Sequence, residues 1–250
     1  MAVAFPGGTS ISALRVYTSA APDGVIGGSP HVHVVSTEAY VVVGGSGELH
    51  TLDASGYRER PIAAGDVVWF SPGVIHRAVS HGDLEVRVVM QNAGLPEAGD
   101  AIMTFPDEIL ADAEAYRAAA ALPTGADAGA AALARRDLAV RGFVVLRDAV
   151  LAGDPDALAR FYDRVTSLVA PRAAEWRATW DASVAEVARA TDIQLDDLAA
   201  GRAPQLADGR VATADPIDAF GMCGRLTRFD TLHPRGAARE TTGPSGPERI

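Results

Sequence analysis

Two histidines stand two residues apart at His31 and His33, and a glutamate, Glu38, follows five positions later. Only six histidines occur in the 250 residues, so the pairing is a concentrated signal. The surrounding residues, HVHVVSTEAYVVVGG, read as buried strand. Along a strand, residues i and i+2 point to the same face, so both imidazoles would lie side by side. A turn at 35–37 would let a second strand, opening at Glu38, fold back and bring its carboxylate beside the rings. Two nitrogens and one oxygen converging on a point suit a divalent first-row metal. A third histidine, His76, lies downstream in GDVVWFSPGVIHR, where Gly65-Asp66 opens a strand and Pro72-Gly73 makes a tight turn before it.

These residues resemble the two motifs of the cupin superfamily. The first motif, HxHx(3,4)E followed by six residues and a glycine, reads His31, His33, Glu38 and Gly45. The second, a glycine, five residues and PxGxxH, reads Gly65, Gly73 and His76. Three positions depart from the pattern: Ser71 replaces a proline, Val25 a glycine and Ser80 an asparagine. None of them is a ligand. The resemblance covers about residues 11–95. It implies a double-stranded β-helix barrel with one divalent metal per chain, held by His31, His33, Glu38 and His76. Iron(II) is the favoured ion, with manganese, zinc, nickel or cobalt as alternatives.

The elements that must position these groups fall into two halves. Before about residue 105, valine-rich runs alternate with glycine-rich turns, at 11–19, 39–45, 47–53, 65–72 and 84–92. That spacing suggests an antiparallel sandwich or barrel. After Pro106 the chain becomes alanine-rich and helical. The sequence predicts a helix over 107–123, then a flexible GADAGAAA stretch. A second helix is expected with Asp154 as N-cap, Pro155 at its first position and Pro171 at its end. A third carries Trp176, Trp180, Val184 and Val187 on one face, and TDIQ (191–194) reads as a capping box for a short fourth. The fold expected is mainly β with an α-helical C-terminal part: a barrel over 1–105, a helical cap or dimer interface over 106–215, and an extended or partly disordered tail over 216–250.

Strand parity offers further site candidates. Tyr40 and Val42 should share the inward face of Glu38. Tyr40 would donate a hydrogen bond to substrate or stabilise an anion there, or else serve as core. Phe70 reads as pocket wall, with Trp69 a further candidate for it, and Arg77 should point outward. Arg87 and Gln91 are candidates for a substrate carboxylate, with a surface role preferred. His50 lines the barrel or faces solvent; His81 and His233 read as solvated.

Composition limits the chemistry. All 22 basic residues are arginine, so lysine Schiff bases and lysine-dependent phosphate loops are excluded. The net charge is −10, and residues 107–210 carry 12 arginines against 17 acidic residues. With no basic face, a nucleic-acid or anionic-membrane partner is not expected. The single cysteine, Cys223, cannot form an intrachain disulfide, and MAVAFPGGTS has no signal-peptide character. A cytoplasmic homodimer acting on a small molecule is expected. The functional expectation is a metal-dependent oxygenase; the alternatives are a redox-neutral isomerase, epimerase, lyase or decarboxylase, and a non-catalytic binder.

Overall fold

The computed structural model describes residues 5–236. Nine strands form the first half: β1 (Ser10–Val16), β2 (His31–His33), β3 (Glu38–Gly44), β4 (Ser46–Asp53), β5 (Gly56–Ala63), β6 (Val67–Phe70), β7 (Ile75–Ser80), β8 (Glu85–Met90) and β9 (Ala101–Met103). The helical half holds α1 (Asp107–Leu110), α2 (Ala113–Ala120), α3 (Ala128–Leu151), α4 (Ala157–Val169), α5 (Ala173–Trp180) and α6 (Glu186–Ala199). The chain then returns to strands: β10 (Ala212–Thr213), β11 (Pro216–Phe220), β12 (Gly224–Phe229) and β13 (Arg235–Gly236).

Two antiparallel sheets face each other, one in the order β11-β12-β1-β8-β3-β6 and the other β5-β4-β7-β2-β9. Their inner faces enclose Leu14, Tyr40, Val42, Leu49, Phe70, Ala78, Val86 and Val88. This is the expected double-stranded β-helix. The motif glycine Gly45 is required by backbone geometry: its φ is +68°, and an added Cβ would lie 2.3 Å from the Asp83 carbonyl oxygen.

The β7-β2-β9 part of the second sheet is buried on both sides. The sheet's inner face carries His31, His33 and His76, while Val32, Leu52, Ile75 and Ile102 on the outer face join a second core with Phe105, Phe143, Phe161, Val165 and Trp176. Each large apolar side chain buried there is worth about 1.5–3 kcal/mol of transfer free energy. The helices therefore pack against the back of the sheet that holds the histidines. Gly142 permits the approach: a Cβ on it would fall 2.2 Å from the Thr104 carbonyl oxygen. No helix of the described residues is long and apolar enough to cross a membrane.

Several local expectations are corrected. The helix over 107–123 is two helices, because Asp112 accepts from the backbone N–H of Glu114 (2.7 Å) and Ala115 (3.2 Å) and caps α2. The stretch read as flexible runs into α3, the longest helix of the described residues. α4 starts at Ala157, with Asp156 at its N-cap position, and Asp154 accepts the Asp156 N–H (3.0 Å) in the turn that leads into it. The capping box at 191–194 lies inside α6, where the Thr191 hydroxyl donates to the Val187 carbonyl one turn back (3.1 Å). Residues 216–229, expected as an extended or partly disordered tail, form the hairpin β11–β12. That hairpin pairs with β1 and widens the first sheet. The tail beyond residue 236 lies outside the described residues.

Candidate metal centre

β2 supplies two of the four groups and its neighbours supply the others. His31 pairs directly with His76 across β2 and β7. Glu38 opens β3 in the facing sheet, opposite Phe70 of β6. One ligand atom from each of His31, His33, Glu38 and His76 lies within 4.8 Å of all the others, and all four residues are buried.

Each imidazole is anchored through Nδ1. His31 Nδ1 donates to the Ser29 carbonyl (2.9 Å) and His76 Nδ1 to the Val74 carbonyl (3.1 Å). His33 Nδ1 donates to the Asp100 carboxylate (3.2 Å). Carbonyl and carboxylate oxygens only accept, so the proton must sit on Nδ1 in each ring, and Nε2 is the atom left for the centre. Glu38 Oε2 lies 3.0 Å from Nε2 of His33 and 3.0 Å from Nε2 of His76. These approaches lack hydrogen-bond alignment: Glu38 Oε2 and His76 Nε2 are buried without a partner. A buried polar atom left unpartnered costs about 1–3 kcal/mol. Two donors at right angles on an ion with bonds of about 2.1 Å would also stand about 3 Å apart. The donor set thus fits a divalent transition ion in charge, chemistry and spacing.

The electrostatics carry the same message. Burial alone would lower the pKa of His33; the Asp100 carboxylate on one side and Glu38 on the other outweigh it and push it up to about 9. Burial would raise Glu38, yet His76 and His33 hold it well below the usual carboxylate range. His31 is driven well below the ordinary imidazole value by burial, then by the two neighbouring rings. The Glu38 and Asp100 carboxylates thus favour positive charge at the rings between them, which a proton or a cation would supply. Phe70 closes one side, its ring 4.1 Å from that of His76.

Asp100 was not among the sequence candidates. It is fully buried just before β9 and also accepts from the backbone N–H of Val34 (2.9 Å) and Val35 (2.8 Å). Burial would raise its pKa, but its bond to His33 lowers it.

Tyr40 and Val42 face inward as parity requires. Tyr40 lines the cavity over the centre, and its hydroxyl meets the Cys223 Sγ at 4.0 Å. Phe70 packs against His76 in the core and does not line that cavity, a correction to its reading as pocket wall; Trp69 is 71% exposed on the opposite face of β6 and does not line it either. Arg77 points away from the centre as expected, yet it is buried beneath the 21–28 loop, bound to Asp23 (2.5 Å) and the Gly28 carbonyl (3.0 Å). Arg87 and Gln91 do not line the cavity. His50 is buried between Glu48 (2.8 Å) and the Tyr57 hydroxyl (2.9 Å). With Glu48 and Glu59 it makes a second grouping of possible ligands, but both of its nitrogens already have partners. His81 and His233 are exposed.

The cavity measures about 480 Å³ and is walled from both halves of the chain. Met222, Cys223 and Leu226 come from the terminal hairpin and Arg135 from α3. The hairpin was missed because its glycines and proline resembled those of the tail beyond it.

Two facing antiparallel sheets with a three-histidine, one-carboxylate centre define a cupin-type barrel. Residues 17–91 match the family model described as the Cupin domain, and this part of the chain is a cupin domain. Among solved structures, it is similar to a protein with a double-stranded β-helix domain from Klebsiella pneumoniae, at 16% identity and a TM-score of 0.30, over 37% of this chain and 73% of that one. A Cupin 2 conserved barrel domain protein from Salinispora arenicola is 22% identical over 38% of this chain and 76% of its own, with a TM-score of 0.29. A predicted oxalate decarboxylase from Thermotoga maritima is 24% identical over 32% of this chain and 64% of its own, with a TM-score of 0.27. No curated protein matches the chain.

Proposed function

We propose that the chain is a metal-dependent cupin enzyme, with iron(II) the favoured ion and oxygenation of a small organic molecule the favoured reaction. The observation that carries the metal reading is the pair of buried, unpartnered atoms Glu38 Oε2 and His76 Nε2, facing a centre whose three imidazoles are all fixed through Nδ1. His31, His33, Glu38 and His76 would hold the ion. Three imidazoles and one carboxylate suit a redox-active first-row metal, which when bound supplies the electron chemistry that dioxygen reactions need. The protein's part is positional. Asp100 fixes the His33 tautomer, Phe70 and Tyr40 keep the inner side of the centre apolar, and the cavity receives the substrate.

Elemental analysis of purified wild type beside His76→Ala tests the reading. Near one metal per chain, lost in the variant, is expected. Full retention in His76→Ala would refute the four-ligand assignment. Dioxygen consumption that requires iron(II) and substrate would support the oxygenase. Turnover under anaerobic conditions with manganese, cobalt or zinc would instead assign a redox-neutral isomerase or lyase, in which the ion polarises a carbonyl.

A further inference from the structure

The cavity over the metal centre carries a positive charge without a counter-ion. Arg135 reaches it from α3, outside the cupin domain. Its guanidinium donates to two carbonyl oxygens, of Ala120 (3.0 Å) and Gly221 (3.1 Å), and its buried Nε has no partner. Half-buried, it makes no ion pair among the described residues, unlike the two buried arginines. Arg77 has Asp23 at 2.5 Å and Arg136 has Asp137 at 2.7 Å. A guanidinium has five N–H donors, and carbonyl oxygens offset only part of its charge.

Arg135 is also tied to the wall nearest the metal ligands. Gly221, which it holds, is two residues from Cys223, whose thiol meets the Ser29 carbonyl (3.7 Å). That carbonyl is the one that anchors His31. A second arginine, the exposed Arg228, lines the same cavity; apart from the ligand Glu38, the one acidic residue there is Glu97. In a chain of net charge −10, this balance is local and reversed. The remaining wall includes Leu14, Val88, Met90, Met222 and Leu226.

We infer that the substrate is a small organic anion, a carboxylate on a compact apolar body, whose charge is held by Arg135 while the body lies against the apolar wall. The inference rests on the metal-centre reading for the reaction served, though not for the binding itself. It gives the helical half a role besides packing: α3 delivers a specificity-determining cation that strands β1–β9 lack, since Arg87 and Gln91 do not reach the cavity.

The test is calorimetric titration of the full chain with benzoate, its neutral isostere benzamide, and phenyl phosphate, with metal per chain measured on every sample. Benzoate is expected to bind wild type at least tenfold more tightly than benzamide does. Arg135→Gln should remove that preference while keeping its metal, and Arg135→Lys should restore part of it. Phenyl phosphate binding more tightly than benzoate would replace the carboxylate by a phosphate monoester. Equal binding of benzoate and benzamide to wild type, or no binding of either anion at millimolar concentration, would overturn the inference without any variant. So would benzoate binding unchanged in Arg135→Gln. Absence of metal from wild type, with the benzoate preference intact and Arg135-dependent, would sink the metal reading and leave this one standing.

Discussion

Replacing Asp100 with asparagine changes a single atom and should reverse the tautomer of His33. Asp100 Oδ1 accepts from the backbone N–H of Val34 and of Val35, so an asparagine must keep its oxygen there. Its NH₂ then faces His33 Nδ1, which sits 3.2 Å from the present Oδ2. An amide donor at that position forces Nδ1 to accept, moves the ring proton to Nε2 and blocks the lone pair that would bind the ion. The lost partner also removes the negative charge that raises His33's basicity. Losses of this kind cost about 10–100-fold in metal affinity, or about 1.4–2.7 kcal/mol. Both backbone bonds survive, so the thermal midpoint of the metal-free protein should fall only by what the lost Asp100–His33 pairing contributes. Asp100→Ala also removes the acceptor of the Val35 N–H and one of the two acceptors of the Val34 N–H, and should lower that midpoint further. Competition titration with a chromophoric chelator, using cobalt(II) or zinc(II), reads the affinity; scanning calorimetry of the metal-free proteins reads the fold. A folded Asp100→Asn that binds metal within twofold of wild type would refute the tautomer argument.

Two other perturbations address the scaffold. Phe143 is 1% exposed in the core between the second sheet and the helices, so Phe143→Ala should cost about 3–5 kcal/mol in urea unfolding; a loss under 1 kcal/mol would mean that this core does not hold the helical half on. Asp23 is pulled below its ordinary pKa: burial would raise it, but the bonded Arg77 outweighs that. A folded-state value below the unfolded one stabilises the protein above about pH 4, and that contribution is lost as pH falls through the lower value. Asp23→Asn should cost about 3 kcal/mol at pH 7 and flatten the acid limb of the stability curve, whereas an acid limb parallel to wild type would show that the pair contributes nothing to it.

The centre was legible because strands have a period of two. His31 and His33 declare a shared face by themselves, and the glycines at 45, 65 and 73 fix the turns that return the chain to them. Tyr40, Val42 and Phe70 followed from the same parity. Asp100 was not legible, since 67 residues separate it from His33 and only the pairing of β9 with β2 brings it there. Arg135 was hidden for a related reason. In AGAAALARRDLAV the alanines make every face of α3 similar, so periodicity did not say which of two adjacent arginines lines the cavity and which, Arg136, binds the chain after β1. Arg77 was assigned the correct direction but the wrong surroundings, because parity reports the face of a strand and not the loop that covers it.

The pairing of β12 with β1 joins an early segment of the chain to a very late one. His31, His33, Glu38, His76 and Asp100 all precede residue 104, whereas Met222, Cys223 and Leu226 on the cavity wall come more than a hundred residues afterwards. During synthesis on the ribosome the barrel strands β1–β9 emerge first, with one side of the centre still open to water. The cavity is enclosed only after α3 has docked and the hairpin has added itself to the sheet edge. The four grouped side chains can therefore come together before the cavity is complete, and a chain truncated before residue 216 would keep them while losing one wall of the cavity beside them.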